Sequence, residues 1–78
     1  MAIHVGIRCS ECRRVHFLSA LKRITHTTTK GVYQIVCGYP CGAVNYFRIE
    51  QTRAFEVPEN VYRRGHAEPG EYELSQAA

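Results

Sequence analysis

Four cysteines fall in two close pairs, Cys9-Ser10-Glu11-Cys12 and Cys37-Gly38-Tyr39-Pro40-Cys41, with 24 residues between the pairs. Two thiolates separated by two or three residues can turn toward one ion from a tight loop. Two such loops supply four sulfur ligands at tetrahedral corners, the arrangement Zn²⁺ takes at about 2.3 Å per bond. Four thiolates fill the coordination sphere and leave no position for an activated water, so the chemistry expected of Cys9, Cys12, Cys37 and Cys41 is structural. One zinc ion is the expected cofactor, and its binding energy becomes folding energy because the unfolded chain has no formed site.

Three other readings of the cysteines stand beside this one. A redox-active Cys9/Cys12 pair is the alternative function, thiol redox or metal handling, but the βαβ pattern that usually surrounds such a pair is missing. Structural disulfides suit an oxidising compartment. Iron also accepts four thiolates. Zinc is preferred over all three.

The length supports a staple of this kind. A chain of 78 residues builds one small core, worth roughly 3–5 kcal/mol, and such cores usually need a metal, disulfides or oligomerisation. No run of about 18 apolar residues is present, so no membrane-spanning helix is expected. The stretch Met1-Ala2-Ile3-His4-Val5-Gly6-Ile7-Arg8 does not read as a secretory signal, and a cytoplasmic, reducing compartment is the expectation.

The elements that must position the sulfurs read mainly as strands. Ile3 to Arg8 alternates with period two and enters the first pair; Val32-Tyr33-Gln34-Ile35-Val36 leads into the second, and Val44 to Glu50 leaves it. Thr52 to Val57 extends that strand or forms another. Val15 to Ile24 is ambiguous: Val15 and Phe17 alternate like a strand, while Phe17, Leu18, Leu21 and Ile24 can also line one helix face. A strand is favoured, because a hairpin returning from Cys12 to Cys37 joins the two pairs. Thr25 to Gly31 is expected to hold the bend, with Gly31 suited to positive φ.

Only now does a family likeness carry weight. The two cysteine pairs and their hairpin-length spacer, over roughly residues 7–50, resemble a zinc ribbon, in which two cysteine-bearing knuckles sit at the end of a small antiparallel sheet. The resemblance implies that Cys9, Cys12, Cys37 and Cys41 are the metal ligands. The family's knuckles usually read Cys-x-x-Cys-Gly; here Arg13 follows Cys12, and the second loop holds three intervening residues, a widened knuckle. The expected fold is therefore mainly β: a small antiparallel ribbon sheet of three or more strands over residues 1–57. Residues 58–78 turn polar and rich in breakers, a partly irregular C-terminal extension. Within it, Pro58 to Gly65 suits one short helical turn stopped at Gly65, and Glu71 to Leu74 suits an edge strand or the binding of a partner by strand addition.

Four thiolates remove four charges and one Zn²⁺ restores two, so the formal +3 of the chain falls to +1. The partner, protein or nucleic acid, stays undecided, with a slight preference for protein. Arg8, Arg13 and Arg14 crowd the first loop and can offset the excess negative charge of a four-thiolate site. Cations interleaved with Tyr33, Tyr39, Tyr46, Phe47, Phe55 and Tyr62 can track phosphates and stack bases. The plainer account is that cations solvate strand faces while aromatics fill a thin core. The later glutamates suggest a tail contact, a protein partner or solubility. His4, His16, His26 and His66 read as surface or strand-face residues, with His16 nearest the site. No Ser/His/Asp or paired-carboxylate arrangement and no small-molecule substrate is evident. The chain reads as a non-enzymatic interaction module.

Overall fold

The computed structural model describes residues 2–18, 24–38 and 40–75. It is mainly β, with two antiparallel sheets whose strands are β1 (Ala2–Arg8), β2 (Val15–Phe17), β3 (Ile24–His26), β4 (Tyr33–Val36), β5 (Val44–Phe47), β6 (Arg53–Val57), β7 (His66–Ala67) and β8 (Glu73–Leu74). The larger sheet has the order β7-β2-β1-β6-β8 and the smaller one β3-β4-β5. One α-helix, α1 (Glu59–Arg63), and a 3₁₀ turn at Ile49–Gln51 complete the described elements.

The 24-residue spacer is divided between the sheets, where a single hairpin was expected. Its first part, β2, returns along β1 with Gly6 opposite Phe17 and Arg8 opposite Val15. Its last part, β3, pairs with β4, Ile24 facing Ile35 and His26 facing Tyr33. The helical alternative for Val15 to Ile24 fails at both ends, which are strands; residues 19–23 lie outside the described residues. Strand pairing also runs through Thr25 and His26, so the bend is shorter than expected. Thr27 closes it: its N–H donates to the Val32 carbonyl at 3.2 Å, and its Oγ1 donates to the same oxygen at 2.8 Å. Gly31 supplies the expected positive φ of 82°.

The strand β6 leaves the smaller sheet altogether. It lies beside β1, with Ala2 opposite Val57 and Gly6 opposite Arg53. This pairing puts Phe55 and Val57 on the same face as Phe17 and Val15. Together with Val61 and Ala67 they form the main hydrophobic core. Val61 and Ala67 come from the segment after Pro58. Pro58 occupies the N-cap of α1, where its missing N–H is not needed. Gly65, at φ 88°, stops the helix as expected, and β7 then pairs with β2. The Glu71 to Leu74 stretch supplies β8, which pairs with β6 at the sheet edge.

Gly6 marks the tightest point of the larger sheet. A Cβ built there meets the His16 carbonyl oxygen at 2.8 Å and Val15 Cγ1 at 2.9 Å, closer than side chains tolerate. Because one obstacle is backbone, relief requires β1 and β2 to separate. Gly6→Ala is therefore expected to lower stability by about 1–3 kcal/mol, the range for overpacking, read as a shifted denaturation midpoint with an unchanged slope.

Candidate metal centre

The first cysteine pair sits in the turn between β1 and β2, and the second in the turn between β4 and β5. Each turn is closed by main-chain bonds. In the first, the Cys9 N–H donates to the Arg14 carbonyl at 2.7 Å and the Arg13 N–H to the Cys9 carbonyl at 3.1 Å. In the second, the Cys37 N–H donates to the Ala43 carbonyl at 2.8 Å and the Cys41 N–H to the Gly38 carbonyl at 3.1 Å. The closing bond spans one residue more in the second turn. That is the expected consequence of three intervening residues.

Both turns leave the second cysteine through the left-handed region. Gly42 does so at φ 65°, and Arg13 at φ 68° is the only non-glycine residue described with positive φ. Arg13 thus adopts the conformation a glycine would take in a more regular knuckle. An L-residue there carries a steric cost of roughly 1–2 kcal/mol. Its carbonyl is held by the Tyr72 hydroxyl, which donates to it at 2.7 Å.

Closed in this way, the turns bring all four sulfurs within 4.8 Å of one another. The Cys9 and Cys41 sulfurs are 3.8 Å apart, and those of Cys12 and Cys37 are 3.3 Å apart. Tetrahedral bonds of about 2.3 Å place neighbouring sulfurs about 3.8 Å apart. The Cys9–Cys41 edge matches that spacing, the Cys12–Cys37 edge is about 0.5 Å shorter and no edge exceeds 4.8 Å, dimensions that admit a four-sulfur site after small side-chain shifts. Cys9 is 1% and Cys37 2% exposed, while Cys12 and Cys41 are half-buried. A four-cysteine cluster on a small β fold is consistent with the zinc-ribbon motif.

The thiols differ sharply in acidity. Burial raises the Cys9 thiol, but the backbone N–H groups of Cys12 and Glu11 and the Asn45 side chain outweigh it and bring it down to about 6. Burial, sulfur hydrogen bonds with Cys12 and Cys41, and the charge on Cys9 push Cys37 up to about 12. The Ala43 N–H favours the Cys41 thiolate, yet burial and its sulfur neighbours leave that thiol raised too. Like charges this close oppose ionisation of all four, so a fully ionised cluster calls for a cation at its centre.

Sequence reasoning missed the groups that brace the turns. Asn45, 8% exposed, accepts hydrogen bonds through Oδ1 from the Ser10 N–H at 3.1 Å and the Ser10 hydroxyl at 3.3 Å. It therefore ties the first knuckle to the strand leaving the second. Its signal was a polar residue in the inward phase of Val44-Asn45-Tyr46-Phe47. Arg14 makes a second tie, donating from Nε to Glu68 at 2.9 Å and from Nη1 to the Gly38 carbonyl at 3.1 Å. Glu68, with contributions from the Cys37 and Cys12 sulfurs, holds the Arg14 guanidinium above its usual pKa. Of the three arginines expected to balance the sulfur charge, Arg14 has its guanidinium against the second knuckle.

The histidines stand apart from the sulfurs. His4 stacks on Tyr62 with ring centroids 3.3 Å apart. His16 is buried on β2 across from His66, and His26 lies against Tyr33. Among the described residues, the group able to hold a metal contains the four cysteines and no histidine.

Replacing Arg13 separates backbone strain from charge. Arg13→Gly is expected to match or exceed the parent in thermal stability, by up to about 1 kcal/mol, because it relieves a left-handed L-residue. Arg13→Val removes the same charge but adds β-branching at that conformation, and is expected to destabilise by about 1–2 kcal/mol. Equal melting of the two variants contradicts the assignment of strain to Arg13.

Compared with known proteins, the chain matches no family model, no curated protein and no solved structure.

Proposed function

We propose that the chain is a non-enzymatic module that closes around one structural zinc ion, held by Cys9, Cys12, Cys37 and Cys41, and serves macromolecular contact. The observation that carries this reading is the convergence of four sulfurs, two from each sheet, on a volume the size of one tetrahedral ion. Four thiolates suit Zn²⁺ and complete its sphere, so the ion contributes cohesion and leaves no site for a substrate. A cytoplasmic setting suits four reduced thiols. The partner is a protein or a nucleic acid; no helix of the described residues is long and apolar enough to cross a membrane.

The redox alternative draws on the lowered Cys9 thiol. Burial of Cys9 weighs against it, since an attacking thiolate must reach its partner. Reaction of the metal-loaded protein with a thiol reagent distinguishes the two. Slow, uniform labelling that accelerates only when a chelator strips the metal supports structure. Rapid labelling of one cysteine with the metal retained supports redox work.

Protein purified without added metal is expected to contain one zinc per chain by elemental analysis. Chelator with reductant is expected to abolish its cooperative melt, because binding and folding are one event. Cys37→Ser is expected to do the same at ordinary zinc concentrations. A fully retained melt without metal contradicts the proposal.

Proton competition gives an independent check. Near pH 7 the raised thiols of Cys37 and Cys41 are protonated and must each lose a proton to bind zinc. Zinc affinity is thus expected to fall as pH falls, with about two or more protons released per ion at neutrality. Below about pH 6 the Cys9 proton joins the competition and the dependence steepens. Affinity independent of pH between 5 and 8, measured by chelator competition, contradicts this assignment.

A further inference from the structure

Between the two sheets lies a cleft of about 420 Å³ that no cysteine lines. The volume falls in the range that small ligands and single nucleotide units fill. Its floor is apolar, made by Phe47 and Phe55, each 2% exposed. Its walls carry Arg8, Arg53, Gln51 and Tyr46. Among the described residues that line it, none is a carboxylate.

The two arginines are placed by strand register. Arg53 lies opposite Gly6 on the β1–β6 ladder, and Arg8 is two residues along β1 on the same face. Such diagonal neighbours are about 7–8 Å apart, comparable with the step between phosphates of an extended strand. Arg53 is held in place, its Nη1 donating to the Glu50 carbonyl at 3.1 Å and the Thr52 carbonyl at 2.9 Å. Two acidic residues of the C-terminal segment are engaged elsewhere: Glu68 pairs with Arg14, and Glu71 with Arg64.

Tyr46 is the second independent feature. Most aromatic side chains here serve the interior, as the plainer account of the sequence expected: Phe17, Phe47 and Phe55 are buried, and Tyr62 and Tyr72 pack on the core. Tyr46 instead is 65% exposed, the most exposed large apolar side chain among the described residues. Alternation along β5 turns its ring away from the Phe47 face, at the rim of a cleft that two arginines also line, and this combination suits a ligand with a planar ring and negative charges. An acidic peptide uses only the cations.

From this juxtaposition of Tyr46 with Arg8 and Arg53 in one cleft free of carboxylates, we infer that the cleft binds single-stranded nucleic acid. A base stacks on Tyr46 and neighbouring phosphates meet the two guanidinium groups. The inference deepens the proposed contact role by naming its partner and rests on that reading, since the cleft lies between the sheets that the zinc is proposed to join, although the cleft and the sulfur cluster share no residue. It chooses nucleic acid over protein as the partner at this face.

The test is fluorescence anisotropy of the zinc-loaded full chain with labelled oligothymidine and oligouridine of about 12 nucleotides, at low salt and then across a salt series. Circular dichroism and zinc content verify each variant, so loss of the metal and loss of nucleic-acid binding are read separately. Arg8→Gln with Arg53→Gln is expected to weaken binding roughly ten-fold or more. It should also flatten the slope of log affinity against log salt by about 1.4, for two single-strand phosphates. Tyr46→Ala is expected to weaken binding roughly five-fold or more, while Tyr46→Phe keeps it. Lys30→Gln with Arg63→Gln removes the same charge from exposed positions outside the cleft and is expected to leave affinity within about two-fold. No binding at low salt overturns the inference. So does equal loss in the two charge-matched pairs, or equal affinity for a mononucleotide or a polyglutamate peptide.

Discussion

Two sheets that each fold back on themselves have to be held to one another, and the four sulfurs lie where that joining occurs. The main core of Val15, Phe17, Phe55, Val57, Val61 and Ala67 belongs to the larger sheet, β7-β2-β1-β6-β8, with α1. Ile35 and Phe47 are buried with the smaller sheet, outside that cluster. The closest strand packing is within each sheet rather than between them. Cys9 and Cys12 extend from the larger sheet, Cys37 and Cys41 from the smaller. On the zinc proposal, drawing them to a common centre converts two marginal layers into one body. A small chain gains more from such a tie than a large one, because its apolar area is limited.

Around that junction the neutral and charged braces have a consistent logic. Asn45 satisfies Ser10 across the junction, and Arg14 bridges Glu68 to the second knuckle's Gly38 carbonyl. The Tyr72 hydroxyl secures the Arg13 carbonyl. Three of these partners, Arg14, Glu68 and Tyr72, connect the first knuckle to chain that follows the last cysteine by more than 25 residues. The C-terminal segment therefore supports the sulfur turns directly. Its acidic character has a local use: Glu68 answers Arg14, one of the arginines that crowd the cysteines.

The cysteine spacing made the site legible, because short separations within pairs restrict the geometry before any fold is known. Gly31 and Gly65 were legible for a similar reason, since both mark turns that need positive φ. The division of the spacer was not. Whether β2 and β3 pair with each other or with β1 and β4 depends on distant partners, and Val15, Phe17 and Ile24 suit either arrangement. Arg13 hid its role because the conformation follows from the turn and not from the residue's own preference. Asn45 hid because a polar residue in a strand usually signals the outer face. Glu68 and Tyr72 hid because nothing local announces a contact made 54 or 59 residues away.

What makes the architecture whole is thus the sulfur junction, and its most direct measurement is X-ray absorption at the zinc edge of protein purified without added metal. The account predicts a single shell of four sulfur scatterers at about 2.3 Å. A shell containing nitrogen or oxygen, or a preparation with no zinc to absorb, contradicts it.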